Sequence, residues 1–336
     1  MGNQDLTEYS GEIYWRGLQV IKDLEKEAEV SFPDPELDAA IRIAVGKPQG
    51  DLKLKDLKNL IVLSASRRKI SNLQGIEKLV SLKEIHLMGN QIASLSCLEQ
   101  LDGLVSLNLS HNRITEITGL ARLKQLRRLY LGRNQITDIQ QLTGLTNLKE
   151  LVLSYNEIEE TRALAGLRQV EELHLTGNRI QDISWLKHLK KLKMLSISGN
   201  RISDISSLRN LKGLEKLWLS NNQIKDLEGL RELKKLHLLY LGSNQIREID
   251  SLASLTELTD LDLSDNMIDN IRPLINNLNL NELRLSKNKI RNINALLGLN
   301  HLGIIELDHN AIHPGDNAAV RHVLTQLAQQ GCLIKL

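Results

Sequence analysis

The sequence predicts an α/β repeat fold: a right-handed solenoid bent into a horseshoe, with a parallel β-sheet on its concave side. The convex side is expected to hold 3₁₀ or extended segments, and a helical cap is expected at each end. Three observations predict this fold. Asparagine recurs every 22 residues, each asparagine lies in the same phrase of apolar residues, and both ends of the chain have helical patterning. Because repeats pack only on their neighbours, 336 residues can form one solenoid.

The repeated phrase is L-x-x-L-x-L-x-x-N-x-I-x-x-I-x-x-L-x-x-L, which is that of a leucine-rich repeat. Its L-x-L part alternates with a period of two, which predicts a short strand, and the later apolar residues step by three, which suits a 3₁₀ or extended return segment. One degenerate unit, with Arg68 in the place of asparagine, precedes the series and makes twelve units in all. The eleven asparagines are Asn90, Asn112, Asn134, Asn156, Asn178, Asn200, Asn222, Asn244, Asn266, Asn288 and Asn310.

We expect each of these asparagines to turn inward where its strand ends. There its amide can pair with backbone groups that would otherwise be buried without a partner, so that the stacked side chains form a structural ladder. Two units depart from the phrase, with Thr161 in the place of isoleucine and Pro273 in the return segment. Both departures are expected to alter only the convex surface.

The two ends of a solenoid expose its core unless they are sealed. At the front, Asp34 is the expected N-cap of a helix over residues 36–45, and a second short helix is expected over residues 55–60. At the back, Asp316 is expected to cap a helix over residues 317–330, followed by a closing strand. The predicted organisation is therefore an extension with one amphipathic helix (1–30), a helical cap (31–59), the repeats (60–312) and a C-terminal cap (313–336).

The entry Phe32-Pro33-Asp34-Pro35, the small helical cap and the 22-residue units resemble bacterial internalin-like proteins over residues 31–312. That resemblance implies protein binding on the concave face, usually at a cell surface. The first residues have no basic and apolar leader pattern, and no wall-anchoring region follows the repeats, so we expect a cytoplasmic protein. The repeat is also similar to the leucine-rich regulatory subunit of eukaryotic type-1 protein phosphatase.

The strand positions between the buried leucines are expected to point to the concave face. Trp218 and Tyr240 should lie side by side there on adjacent strands, since strands are about 4.8 Å apart. The predicted binding site has an apolar centre and a charged rim, formed by Trp218, Tyr240, Met194, Leu238, Lys216, His174, Glu172, Asp260 and Asp262. A weaker cluster includes Tyr130 and Arg128. The alternative is that these aromatic residues merely suit strands.

Composition and motifs argue against a catalytic or metal-binding protein and against binding to nucleic acid or a membrane. The 43 basic and 41 acidic residues balance, which gives no case for nucleic acid or an anionic membrane. Cys97 and Cys332 form no metal or disulfide pattern, and His86 and His174 are four strands apart, about 19 Å. The carboxylates at positions 260, 262 and 265 are interpreted as a solvated patch rather than a calcium site.

The sequence therefore predicts a non-enzymatic protein-interaction scaffold, without metal or cofactor, cytoplasmic, bacterial and monomeric, whose partner is a protein and neither nucleic acid nor membrane. Two alternatives stay open: an internalin-type surface adhesin whose export signal has been removed, and a phosphatase-regulatory subunit.

Overall fold

The computed structural model describes residues 27–313, 315 and 317–336. Leu18, Ile21 and Leu24, which indicated an N-terminal helix, and the expected cap Asp316 lie outside the described residues. The chain divides into two compact units, the first ending at Leu126 and the second running from Arg127 to Leu336.

Unit 1 begins with two helices, α1 (Pro35–Val45) and α2 (Leu54–Leu57). Helix α1 buries Leu37, Ala40 and Ile41, and it ends at Gly46, whose φ of 69° is left-handed. A residue without a side chain adopts that conformation at little cost, which is why glycine commonly ends a helix. The second helix is shorter than the sequence predicted.

Asp34 joins α1 to the first repeat. Its carboxylate accepts the backbone amides of Glu36 and Leu37, both at 3.1 Å, and those of Ser71 at 2.8 Å and Asn72 at 3.0 Å. Burial alone would raise the pKa of Asp34, but these four amides outweigh it and lower the pKa. The predicted N-cap is confirmed, and it also connects α1 to the return segment of the first repeat.

Three parallel strands complete unit 1: β1 (Val62–Ser64), β2 (Glu84–His86) and β3 (Ser106–Asn108). Each repeat places its middle strand residue in the core, so that Leu63, Ile85 and Leu107 are fully buried. The return segments contain short 3₁₀ helices at Ile76–Lys78, Ser96–Leu98 and Thr118–Leu120. The predicted alternation of strand and 3₁₀ segment is confirmed.

Unit 2 repeats the same pattern along one parallel sheet. Its strands are β4 (Arg128–Tyr130), β5 (Glu150–Val152), β6 (Glu172–His174), β7 (Met194–Ser196), β8 (Lys216–Trp218), β9 (Leu238–Tyr240), β10 (Asp260–Asp262), β11 (Glu282–Arg284), β12 (Ile304–Glu306) and β13 (Leu333–Lys335). Its 3₁₀ helices are Gln140–Gly144, Arg162–Gly166, Ser184–His188, Ser206–Asn210, Glu228–Leu230, Asp250–Ser254, Arg272–Asn276 and Asn294–Gly298.

The C-terminal cap of unit 2 is helix α3 (Ala318–Gln329), which buries Val320, Val323 and Leu327. Asn317 caps it by accepting the amides of Ala319 and Val320. Strand β13 then pairs in parallel with β12. The helix and closing strand are as predicted, within one or two residues at each end.

The two departures from the repeat phrase do not both stay on the surface. Thr161 is 2% exposed, and its hydroxyl accepts the indole N–H of Trp185 at 2.7 Å, so the expectation for this residue was wrong. Pro273 sits in the first turn of its 3₁₀ helix, where its missing N–H leaves no internal bond unmade. A third departure is Asn277, fully buried in a leucine position, with its amide donating to the carbonyls of Leu252 and Leu255.

Candidate functional site

Each of the strands β4 to β12 is followed, four residues after its end, by a buried or half-buried asparagine, and these side chains hold neighbouring repeats in register. Asn222 is representative. Its Oδ1 accepts the amide of Ile202 at 3.1 Å, and its Nδ2 donates to the carbonyls of Ile197 at 3.2 Å and Leu219 at 3.0 Å. Each asparagine from Asn156 to Asn310 bonds in this way to its own repeat and to the one before it, which fixes the position of the strands.

The open face of unit 2 is the sheet face that carries the first and third residues of each three-residue strand. The middle residue of each strand is buried, whereas these flanking residues are half-buried. Strand pairing aligns them in two rows: Glu172, Met194, Lys216, Leu238 and Asp260 in one, and His174, Ser196, Trp218, Tyr240 and Asp262 in the other. The rows match those expected from the 22-residue spacing.

Trp218 and Tyr240 are in contact at the middle of this face. Their ring centroids are 6.3 Å apart and their planes make an angle of 78°, an edge-to-face arrangement that suits the charge distribution of aromatic rings. Met194 and Leu238 lie beside them in the other row. We call Met194, Trp218, Leu238 and Tyr240 the aromatic patch.

Arg284 reaches the aromatic patch from β11, a contact that the sequence reading did not predict. Its guanidinium carbon lies 5.6 Å from the centroid of the Tyr240 ring, and its side chain also pairs with Glu282. Desolvation would lower the pKa of Arg284, but the hydrogen bond to Tyr240 and the carboxylates of Glu282 and Asp262 outweigh it and raise the pKa. The signal was present in the sequence, since position 284 falls in the same row as Tyr240.

On the β6 side of the patch, His174 and Glu172 occupy the two rows. Burial lowers the pKa of His174, while the carboxylates of Glu172 and Glu150 act in the opposite direction. His174 is therefore a neutral, half-buried side chain at physiological pH. Lys216 stands between Met194 and Leu238 in its row.

On the β10 side of the patch, Asp260 lies in register with Leu238, and Asp262 with Tyr240. Asp260 accepts the hydroxyl of Thr259 at 2.6 Å, and Asp262 accepts both the amide and the hydroxyl of Ser264. Within the residues that the structure describes, neither carboxylate has a cation within 4.0 Å. Two carboxylates thus border the rings without an ion pair in the described part of the chain, although the charge of Arg284, in register with Asp262, interacts with that residue.

The second predicted cluster lies on β4 and β5. The Tyr130 hydroxyl donates to Glu150 at 2.8 Å, and Arg128 is in register with Glu150. Burial together with this bond raises the pKa of Tyr130 to about 12. The hydroxyl of Tyr130 therefore already donates its hydrogen bond to a residue of this chain, which makes this cluster a weaker candidate for partner binding than the aromatic patch.

Two further observations concern metal-binding groups and membrane-spanning helices. Among the described residues, no group of three or more His, Cys, Asp or Glu side chains is arranged to hold a metal ion. In the same part of the chain, no helix has the length and apolar character to cross a membrane.

Comparison with known proteins bears on the repeats directly. The family described as Leucine Rich repeats (2 copies) matches residues 102–144, 190–232 and 234–276, and the family described as Leucine rich repeat matches residues 125–180. No curated protein matches the chain in sequence.

Solved structures are similar over most of the chain. An internalin, InlF, from Listeria monocytogenes is 30% identical with a TM-score of 0.78, over 90% of this chain and 95% of InlF. The functional domain of InlJ from the same species is 25% identical with a TM-score of 0.75, over 85% of this chain and 63% of that one. A plant peptide hormone receptor, RGFR1, solved in complex with RGF2, is 22% identical with a TM-score of 0.66, over 76% and 48%, which indicates a shared fold alone.

Proposed function

Because this chain belongs to the internalin-like leucine-rich-repeat proteins, we propose that it is a non-enzymatic scaffold that binds a partner protein on the open face of unit 2. The observation that carries the proposal is the contact between Trp218 and Tyr240 on a face made of strand positions. We infer that this open face is the concave side of the repeat. A peptide-binding receptor of the same fold, RGFR1, is consistent with a protein or peptide ligand.

The aromatic patch has the physical character of an interface centre. Tryptophan and tyrosine present large areas with few rotatable bonds, so little conformational freedom is lost when a partner covers them. Glu172 on β6 and Asp260 on β10 border the patch, and Lys216 lies within it between Met194 and Leu238. Apolar side chains with charged neighbours at their border are the arrangement seen in protein interfaces.

The strands that carry the patch are also fixed before any partner arrives. Each is hydrogen-bonded to both neighbours, and each is followed by an asparagine such as Asn222 or Asn244 that bonds to two repeats. A surface that does not reorganise on binding avoids much of the entropy cost of association. This favours a binding face of defined shape over an adaptable one.

The direct test compares partner capture from native lysate by the wild-type chain, by W218A/Y240A and by a control, I275A/L278A. The control removes two large apolar side chains that are 49% and 51% exposed but lie in or just after a 3₁₀ helix, away from the strands. We expect the aromatic variant to lose the captured protein, with affinity reduced at least about a hundredfold, since hot-spot side chains contribute roughly 2 kcal/mol or more each.

Unchanged capture by W218A/Y240A would contradict the proposal, as would equal loss in the control. Circular dichroism and melting of all three proteins establish that the comparison is between folded chains.

The similarity to InlF also favours a second candidate, an adhesin displayed on a cell surface. The same face would serve either role, so the distinction is one of location. Protease treatment of intact cells that express the gene from its native locus decides it: digestion of the protein indicates surface display, and protection indicates the cytoplasmic role.

A further inference from the structure

We propose that the partner contributes a lysine- or arginine-rich segment that lies across β8, β9 and β10, with a basic side chain held between the aromatic rings and the carboxylates of Asp260 and Asp262. The proposal rests on the proposed function, to which it adds the chemistry of the partner.

The charge on this part of the open face is unbalanced. Strands β10 to β12 carry four carboxylates there, those of Asp260, Asp262, Glu282 and Glu306, and one cation, Arg284. Arg284 pairs with Glu282 and lies 4.0 Å from Glu306, which also pairs with Lys335 of β13. The two cations Arg284 and Lys335 therefore make their ion pairs with the β11 and β12 carboxylates. Asp260 and Asp262 have no ion pair among the described residues, and only Asp262 feels the charge of Arg284, with which it is in register, so the β10 pair is compensated in part.

The rings and the free carboxylates are neighbours. Asp262 is directly in register with Tyr240 on the adjacent strand, and Trp218 follows on the next strand. Strand spacing puts such neighbours about 4.8 Å apart at the backbone. A lysine or arginine can lay its aliphatic stem on the rings and extend its charged end to a carboxylate at that distance, which combines apolar contact, cation–π attraction and an ion pair.

Arg284 gives an example, within the chain, of a basic side chain that contacts a ring and a carboxylate together. Arg284 already stands 5.6 Å from the Tyr240 centroid while it is paired with a carboxylate. A partner side chain would repeat that arrangement over the Trp218 and Tyr240 rings, with its charged end directed toward β10.

Other partner chemistries fit less well. An acidic segment would meet Asp260, Asp262 and Glu172, and the repulsion would oppose association. A wholly apolar segment would take the two aspartates out of water without a counter-ion, which costs several kcal/mol per ion. Lys216 is itself on β8, in register with Leu238, and would repel a basic side chain placed over that row. The basic side chains of the segment are therefore expected over the rings and toward β10, and not toward β7.

The test uses two short fluorescent peptides of the same length and the same apolar residues, one with several arginines and the other with glutamates in those places. Anisotropy titrations measure binding to the full chain and to D260N/D262N. The control is E248Q/D269N, which makes the same charge change on exposed return-segment positions, one in the repeat of β9 and one in the repeat of β10.

We expect the wild-type chain to bind the arginine peptide more tightly than the glutamate peptide. D260N/D262N should lower the affinity for the arginine peptide about tenfold and make that affinity less dependent on salt concentration. E248Q/D269N should change the affinity little. Equal binding of the two peptides, no binding of the arginine peptide, or equal weakening in the control overturns the proposal. If native-partner capture is lost in W218A/Y240A but unchanged in D260N/D262N, the binding face stands and the basic partner is wrong.

Discussion

Replacing Asn222 with alanine tests whether the asparagines hold the strands that carry the aromatic patch. The change removes one accepted bond and three donated ones, the third to the Ser220 carbonyl at 3.4 Å. The Ile202 amide loses its acceptor, whereas the carbonyls of Ile197 and Leu219 still accept from Asn200 and Asn244. An unpaired buried amide costs about 1–3 kcal/mol and each further lost hydrogen bond about 0.5–1.5 kcal/mol, so we expect a loss of about 2–4 kcal/mol. Asn210, exposed in the 3₁₀ helix Ser206–Asn210, is the matched control.

Urea unfolding of N222A and N210A measures the difference in free energy of unfolding, and hydrogen exchange of the Ile202 amide measures the local effect. The control is expected to change stability by less than about 0.5 kcal/mol. Faster exchange at Ile202 in N222A is expected because this amide loses its acceptor. A loss in N222A within about 1 kcal/mol of the control, with unchanged exchange, would refute the structural role argued for these side chains.

Three further predictions concern stability. The pKa of Asp34 is lower in the folded chain than in the unfolded chain, so its carboxylate stabilises the fold above the unfolded pKa, and that stabilisation is lost as the pH falls through the folded pKa. D34N should lower the free energy of unfolding by about 2 kcal/mol at neutral pH and remove this acid sensitivity, as measured by urea titrations at several pH values. G199A should cost about 1 kcal/mol from its left-handed φ of 64°, whereas G177A should cost more in thermal melts because its Cβ would lie 2.7 Å from a neighbouring tyrosine ring. T161V should cost about 1–2 kcal/mol by removing the acceptor of the Trp185 indole, and a double-mutant cycle with W185F should show coupling, with additive losses as the contradicting result.

The fold and the composition of the open face follow from the sequence for a simple reason. In a solenoid with a constant repeat length, residues 22 apart become cross-strand neighbours. Lys216 therefore pairs with Leu238 and Trp218 with Tyr240, as the spacing predicts. The sequence is sufficient to place the side chains of the aromatic patch in their rows.

Side-chain contacts along a row, between strands that are not adjacent, could not be predicted in the same way. Arg284 reaches past Asp262 to Tyr240 because a long flexible side chain selects its rotamer from the whole surface, including the carboxylate of Glu282. Spacing alone contains no information on that choice. The ion pairing of the carboxylates on β11 and β12, and the partial compensation on β10, became apparent only with these contacts.

Thr161 shows where the pattern was misread. It occupies an inward isoleucine step of the phrase, so the repeat itself indicates burial, and the polar residue is tolerated because Trp185 in the next repeat donates to it. Asn277 is the opposite case. It is fully buried, its amide group has two carbonyl acceptors, and its Oδ1 has no hydrogen-bond partner among the described residues. We have no physical account of the unpaired oxygen.

The central claim is that a partner covers the open face of unit 2, and site-specific photo-crosslinking tests it most directly. A photoreactive amino acid at position 196, in the row beside Trp218, is compared with one at exposed position 275. We predict that a captured protein crosslinks from position 196 and not from position 275, and that W218A/Y240A abolishes the product. Crosslinking from position 275 alone, or from position 196 with no dependence on the two rings, would contradict the account.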